Sequence, residues 1–247
     1  MRTIAIVQAR LRSERLPAKV LLDLGGATAL QRCLDRATGI ANVSEVVVAC
    51  SDRPEDELIV ATARRLGFRT FRGSEMDVLG RFYGAAREGN AEAIVRLTSD
   101  CPLLDPELSG DVVAAFLASQ GGDAPVAYAS NVMTRRLPRG LDTEILRTDA
   151  LEEAHRMATR PEEREHVTAY LYRNPLKFRL LDVSYEPADL SHHRWTLDTL
   201  EDYRLLFAIY ERLGPSASEA RLRDVLGVLE REPDLVKINA AIEQKPT

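Results

Sequence analysis

Four cations, Arg10, Arg12, Arg15 and Lys19, fall within ten residues, against a single acid, Glu14. Their spacing fits neither face of a helix, and Pro17 opposes a helix through the segment. Arg and Lys are the usual partners of phosphate oxygens, and a nucleoside triphosphate brings roughly four negative charges. The apolar run Ile4-Ala5-Ile6-Val7 comes just before, so the segment reads as a loop leaving the carboxyl end of a strand. In open α/β sheets, ligands bind in the crevice beyond those ends. A solvated basic loop would have the same composition, so charge alone leaves both readings open.

Acids recur in comparable places. Asp100 lies just beyond the apolar run 91–97, in a loop kept from helix by Pro102 and Pro106. Asp198 follows Arg194-Trp195-Thr196-Leu197 and precedes a helix start; it is either a second carboxylate on the same metal or a helix cap, a role open also to Thr199. One carboxylate plus substrate phosphates suffices for Mg²⁺, which keeps several waters. If Asp100 and Asp198 share the ion, they lie within about 6 Å of each other. Their mutual repulsion would then leave Asp100→Asn near wild-type stability. Asp142 and Glu144, two apart on a strand, face one side and could accept hydrogen bonds from sugar hydroxyls. Arg164 and His166 could bind an anionic or hydroxylated acceptor, although a lone helical histidine is more often packed or solvated. Trp195, the only tryptophan, reads as core.

The elements that must position these residues alternate through the first half. Strands are expected at 4–7, 45–49, 68–71 and 91–97, with helices at 28–38, from 51–56 to Gly67, and at 77–88. Repeated β-α units imply a parallel sheet covered on both faces. Further on, a helix from Pro106 precedes strands at 126–129, 144–146, 178–183 and 194–197. Helices are expected at 149–158, 161–173 and 199–213, then two amphipathic helices split by Pro233. Gly214-Pro215-Ser216 is the one plausible late boundary, giving a domain at 1–213 and a helical C-terminal appendage at 214–247.

The chain has 247 residues, 45% of them hydrophobic, and a formal net charge of −5, which argues against general nucleic-acid binding. Cys33, Cys50 and Cys101 lack metal-ligand spacing and read as reduced thiols of a cytoplasmic protein. The first apolar run is too short for a signal peptide, and no stretch has the length of a membrane span. There is no G-x-G-x-x-G after the first strand, no G-x-x-x-x-G-K-[ST] and no G-x-S-x-G.

The loop 7–19, the acid after strand 91–97 and the segment Arg194-Trp195-Thr196-Leu197-Asp198-Thr199 together resemble the cytidylyltransferases. The match is closest to the spore-coat polysaccharide biosynthesis protein F family, with acylneuraminate and 3-deoxy-manno-octulosonate cytidylyltransferases as relatives. The resemblance implies a Rossmann-like nucleotide-diphosphosugar transferase fold with a mostly parallel central sheet. It implies Mg²⁺-dependent attack of a sugar acid or related acceptor on the α-phosphorus of CTP, releasing pyrophosphate. Arg10, Lys19 and Asp100 take the catalytic places. Ala9, Arg10, Ser13, Arg15, Lys19, Ser51, Asp52, Gly73, Ser74 and Asp100 take the nucleotide-binding ones. Asp100 and Asp198 match the metal aspartates, and Gly140, Asp142, Glu144, Glu165 and His166 the acceptor side. A homodimer paired through residues near 125–175 is also implied.

Four positions depart from the family pattern. Arg12, Ala18 and Ser99 stand where glycine is usual, and Glu14 where threonine is. Gly permits positive φ and close approach of backbone to phosphate, which Arg12 and Ala18 make harder. A glycosyltransferase of related fold, using a nucleotide-sugar donor, would need the paired acids but no triphosphate cradle. A catalytically impaired nucleotide-binding protein is the third reading.

Overall fold

The computed structural model describes residues 1–122 and 124–243. Strand β1 (Thr3–Ala9) lies inside the sheet, with Ile4, Ala5, Ile6 and Val7 apolar and buried on both faces, as in a strand covered from both sides. It pairs in parallel with β2 (Glu45–Ser51) and β4 (Ala93–Thr98), and β2 pairs in parallel with β3 (Arg69–Gly73). Beyond β4 the order continues through β6 (Glu144–Arg147), β5 (Tyr128–Ser130) and β7 (Leu180–Asp182), for β3-β2-β1-β4-β6-β5-β7. Strand β6 runs antiparallel to both its neighbours, so the seven-stranded sheet is mostly parallel.

Alternate residues of β1 enter two cores. Ala5, Val7 and Ala9 pack under α1 (Ala29–Thr38), α2 (Glu57–Arg65) and α4 (Pro106–Ala118). Ile4 and Ile6 pack on the other face, with α3 (Val78–Glu88), α5 (Thr148–Met157) and α7 (Ala169–Tyr172). A third core joins Leu24 and Trp195 to α8 (Leu200–Leu213), α9 (Leu222–Arg231) and the 3-10 turn Pro233–Ile238. Arg36 of α1, 3% exposed, ties the tail to the loop before α4 by donating to the carbonyls of Leu104, Ala217 and Ala220. Residues 214–238 thus share a core with the sheet-bearing part of the chain.

Three expected elements come out differently. The strand expected at 194–197 is not in the sheet. It makes a single bridge, from Arg194 to Arg139, because its amides are spent on Arg139 and Asp100 instead. The helix expected at 161–173 is two short pieces, α6 (Pro161–Glu165) and α7, parted where Val167 takes φ 53. A β-branched residue in the left-handed region is costly, and nothing local signals it. After Pro233 a 3-10 turn replaces the second tail helix.

Candidate active site

The basic loop leaves β1 and is closed at its base, where the Ala18 amide donates to the Leu11 carbonyl at 2.9 Å. The buried Asp56 carboxylate holds it to β2, accepting from the amides of Leu11 (2.8 Å) and Ser51 (3.0 Å) and from the Ser51 hydroxyl. Ala18 adopts φ 54, so the glycine-like backbone survives the loss of glycine, at a cost of about 1–2 kcal/mol. The short 3-10 turn Lys19–Leu21 that follows aims Lys19 inward.

Lys19 Nζ sits between two carboxylates, 2.7 Å from Asp100 Oδ2 and 2.6 Å from Asp198 Oδ1. Those oxygens therefore lie within the roughly 6 Å that a shared Mg²⁺ allows, with an ammonium between them. Burial alone would lower the Lys19 pKa, but the two carboxylates hold it above its ordinary value. Burial would raise that of Asp100, but Lys19 holds it below the usual carboxylate range.

Asp198 also receives Arg15 Nη2 and Arg194 Nη2, each at 3.0 Å. It is not the helix cap: Thr199 caps α8, with Asp202 completing the capping box. Asp202 is fully buried and accepts from Arg194, from Asn239 and from the amides of Asp198 and Thr199. The Asp100 carbonyl accepts from the Leu197 amide at 2.8 Å, pinning the two acid-bearing segments side by side.

Two cavities meet at this point, sharing Thr98, Asp100 and Asp198. One, of about 560 Å³, opens on the β1–β3 side and is lined by Ala9, Arg10, Ser13, Arg15 and Lys19. Arg10 has no ion-pair partner among the described residues. Ser51, Asp52, Gly73 and Ser74 lie at the ends of β2 and β3 but do not line it, and Ser51 is committed to Asp56. The other cavity, of about 730 Å³, opens over β4–β6 and includes Gly140, Asp142, Glu144 and His166. Glu165, expected beside them, lines the first cavity instead. Arg164 turns away to Asp77, the cap of α3.

The floor of the larger cavity is a buried polar network that sequence reading missed. Glu144 accepts from Arg96, from Tyr128 Oη at 2.7 Å and from Thr168 Oγ1 at 2.6 Å. Burial would raise its pKa; the Arg96 guanidinium and the hydroxyls hold it below its usual range. The signal was present, since Arg96 interrupts the otherwise apolar run Ala93–Leu97. At the rim, Arg135 clasps Asp142 bidentately at 2.8 and 2.9 Å.

Gly140 sits at φ +107, and a Cβ there would come within 2.6 Å of the Trp195 carbonyl oxygen. This close approach lays the loop at Arg139 against the segment that leads to Asp198, where Arg139 bridges Arg194. Gly140→Ala is expected to cost more than about 1 kcal/mol, a fall in melting temperature of at least about 2–4 °C. A thermal melt superimposable on that of the wild type would count against the close approach.

A sheet whose carboxyl edge carries a cation-rich loop and two facing aspartates, with a cavity on either side, has the layout of a nucleotidyl-transfer site. Residues 4–225 match the cytidylyltransferase family, and the chain belongs to it. It is 34% identical to spore coat polysaccharide biosynthesis protein SpsF of Bacillus subtilis (strain 168), over 93% of this chain and 94% of that one. A cytidylyltransferase from Leptospira borgpetersenii serovar Hardjo-bovis (strain JB197) superposes with a TM-score of 0.90 at 32% identity, over 100% of this chain and 99% of that one. The fold is also that of CMP:2-keto-3-deoxy-manno-octonic acid synthetase complexed with CTP, with a TM-score of 0.63 at 18% identity, over 86% and 99%.

Proposed function

We propose that the protein transfers CMP from CTP to a hydroxyl of a sugar acid or related acceptor in surface polysaccharide biosynthesis, releasing pyrophosphate. The observation that carries this reading is the meeting of a cation-lined cavity and a second, hydrogen-bonding cavity at Asp100 and Asp198. The name of the Bacillus relative supports the polysaccharide setting.

In this reading Arg10, Arg15 and Lys19 neutralise the triphosphate, and the second cavity holds the acceptor hydroxyl in line with the α-phosphorus. The oxygen–phosphorus bond forms as the α–β bridging bond breaks. The electron pair leaves on pyrophosphate, whose growing charge the guanidinium and ammonium groups stabilise, and the hydroxyl proton passes to water. Such chemistry rests on positioning and charge neutralisation and needs no protein nucleophile.

No group of three or more His, Cys, Asp or Glu side chains is placed to hold a metal among the described residues. Two carboxylates converging on one cation position nevertheless fit Mg²⁺, which takes its remaining ligands from water and phosphate. Asp100 and Asp198 would hold the ion, which supplies further charge neutralisation at the phosphates. A glycosyltransferase would need the paired acids but no triphosphate cradle, so the loop from Arg10 to Lys19 favours the transfer from CTP.

The test is pyrophosphate release with each of the four nucleoside triphosphates against sugar acids and phosphorylated sugars. Release with CTP and one acceptor class is expected; none with any pair would end the reading. The same reading puts the protein in the cytoplasm, where CTP is made. No helix among the described residues is long and apolar enough to cross a membrane.

A homodimer through residues near 125–175 belongs to the proposal as well. Met133 and Met157 expose apolar surface there, and Leu176, just beyond, is fully exposed. Light scattering at micromolar concentration is expected to give twice the chain mass, and Leu176→Glu to lower it; a monomer mass for the wild type would remove this part.

A further inference from the structure

The 3-10 turn Pro233–Ile238 packs against α8 and delivers Asn239 into the interior, where it is 5% exposed. Its Nδ2 donates at 2.9 Å to the Arg194 carbonyl and at 2.9 Å to Asp202 Oδ1. Asn239 therefore clamps the backbone of Arg194 to the carboxylate that the Arg194 side chain grips. That grip is made by Nε at 2.9 Å and Nη2 at 3.1 Å on the fully buried Asp202. The same Nη2 reaches on to Asp198 Oδ2 at 3.0 Å.

Asp198 is thus held twice by one buried pair. Its amide donates to Asp202 Oδ2 at 3.1 Å, and its carboxylate accepts from Arg194. Oδ1 of Asp202 takes Arg194 Nε and Asn239 Nδ2. Removing the amide of Asn239 would leave a buried, charged acceptor short of a donor and unpin the Arg194 backbone. A guanidinium so released can close on Asp198 Oδ2, the oxygen that also faces Arg15. The tail grips the other acid-bearing segment as well: the Leu222 amide donates at 2.7 Å to Asp105 Oδ2, at the end of the loop that carries Asp100.

We propose that Asn239 is a positioning residue of the active site. Acting through Asp202 and Arg194, it fixes the aim of Asp198 at the position that Lys19 Nζ occupies. This rests on the CMP-transfer reading above and gives the C-terminal tail a task in it. Partners that orient a site carboxylate from behind govern its function nearly as much as the carboxylate itself.

The test compares pyrophosphate release and thermal melts of the full chain as wild type, Asn239→Ala, Asp198→Asn and the double variant. Val228→Ala, from the core that the tail shares with α8, controls for lost stability. Asn239→Ala is expected to lower turnover about 10–100-fold, as for loss of an outer partner of a site ligand. In the Asp198→Asn background the same change should cost little further turnover, since a residue acting through Asp198 then has nothing to aim. Val228→Ala should lower the melting temperature and keep wild-type turnover. An equal fractional loss from Asn239→Ala in both backgrounds would reduce Asn239 to a structural tie and overturn the proposal. Wild-type turnover in Asn239→Ala, or a matching loss in Val228→Ala, would overturn it too. If Asn239→Ala fails to fold, Asn239→Ser takes its place, because a hydroxyl can donate to only one of the two acceptors. A wild type that releases no pyrophosphate with any substrate pair would refute the transfer reading, and the melts would then decide this one. Falls in melting temperature from Asn239→Ala and Asp198→Asn should be non-additive if the two share one network; additive falls would overturn the relay.

Discussion

Replacing Asp100 by Asn is expected to lower the rate of pyrophosphate release by about 10²–10³-fold or more, the range for loss of one preorganised electrostatic contact. Asp198→Asn should do the same, and the double variant should be little worse than either single one, as for residues acting as a unit. Additive losses in steady-state turnover would separate the two aspartates and refute a common task. The expected effect on stability changes once the structure is in view. From sequence, two facing carboxylates would repel, so neutralising one would cost nothing. In the structure Lys19 Nζ lies between them at 2.7 and 2.6 Å, so the pair is already compensated. Asp100→Asn then loses an attraction, worth about 1.5–3 kcal/mol for a charge-assisted hydrogen bond. Asp198→Asn should destabilise further, since Asp198 also faces Arg15 and Arg194. Equal melting temperatures for the two variants would contradict that ranking.

The sequence carried much of this arrangement because the parts obey local rules. Val-rich runs without polar alternation announced the buried strands of a parallel sheet, and β1, β2 and β4 fell where they were expected. Loop cations after β1 and acids after apolar runs pointed to the sheet's carboxyl edge. What stayed hidden depends on partners far along the chain. The segment 194–197 has the apolar character of a strand, but its hydrogen bonds go to Arg139 and to the Asp100 carbonyl, which no local pattern reveals. The buried partnership of Arg96 with Glu144 joins residues 48 apart. Val167 breaks a helix by a conformation that β-branched residues avoid. Ala18 shows the reverse: its residue type argued against a left-handed backbone, and the loop imposes one at φ 54.

Lys19→Ala should have the second large effect, and its signature should be a new dependence on divalent cation. In the wild type the ammonium holds the position between Asp100 and Asp198, so a metal or a triphosphate must draw it away. The folded pKa of Asp100 is depressed and that of Lys19 raised. The stability each contributes follows from those directions. The Asp100 part is present above the unfolded carboxylate pKa of about 3.9 and is lost as pH falls through the lower folded value. The Lys19 part is present below about 10.4 and is lost as pH rises through the higher folded value. The bridge is therefore intact across neutral pH. Without Lys19 the two carboxylates face each other uncompensated, and one should take up a proton at higher pH than usual. The variant should accordingly lose stability at pH 7–8 and regain part of it on mild acidification, whereas the wild-type bridge contributes no pH trend over the same window. Mg²⁺ should raise its melting temperature more than that of the wild type, because the site it enters no longer holds an ammonium. CTP-dependent turnover should still fall by about 10–100-fold, as for one lost charge-assisted phosphate contact. Thermal melts of both proteins between pH 5 and 8, with and without Mg²⁺, decide the matter. A Mg²⁺ response no greater in the variant would mean that the two aspartates do not form a cation site, and that Lys19 serves only to tie two loops together.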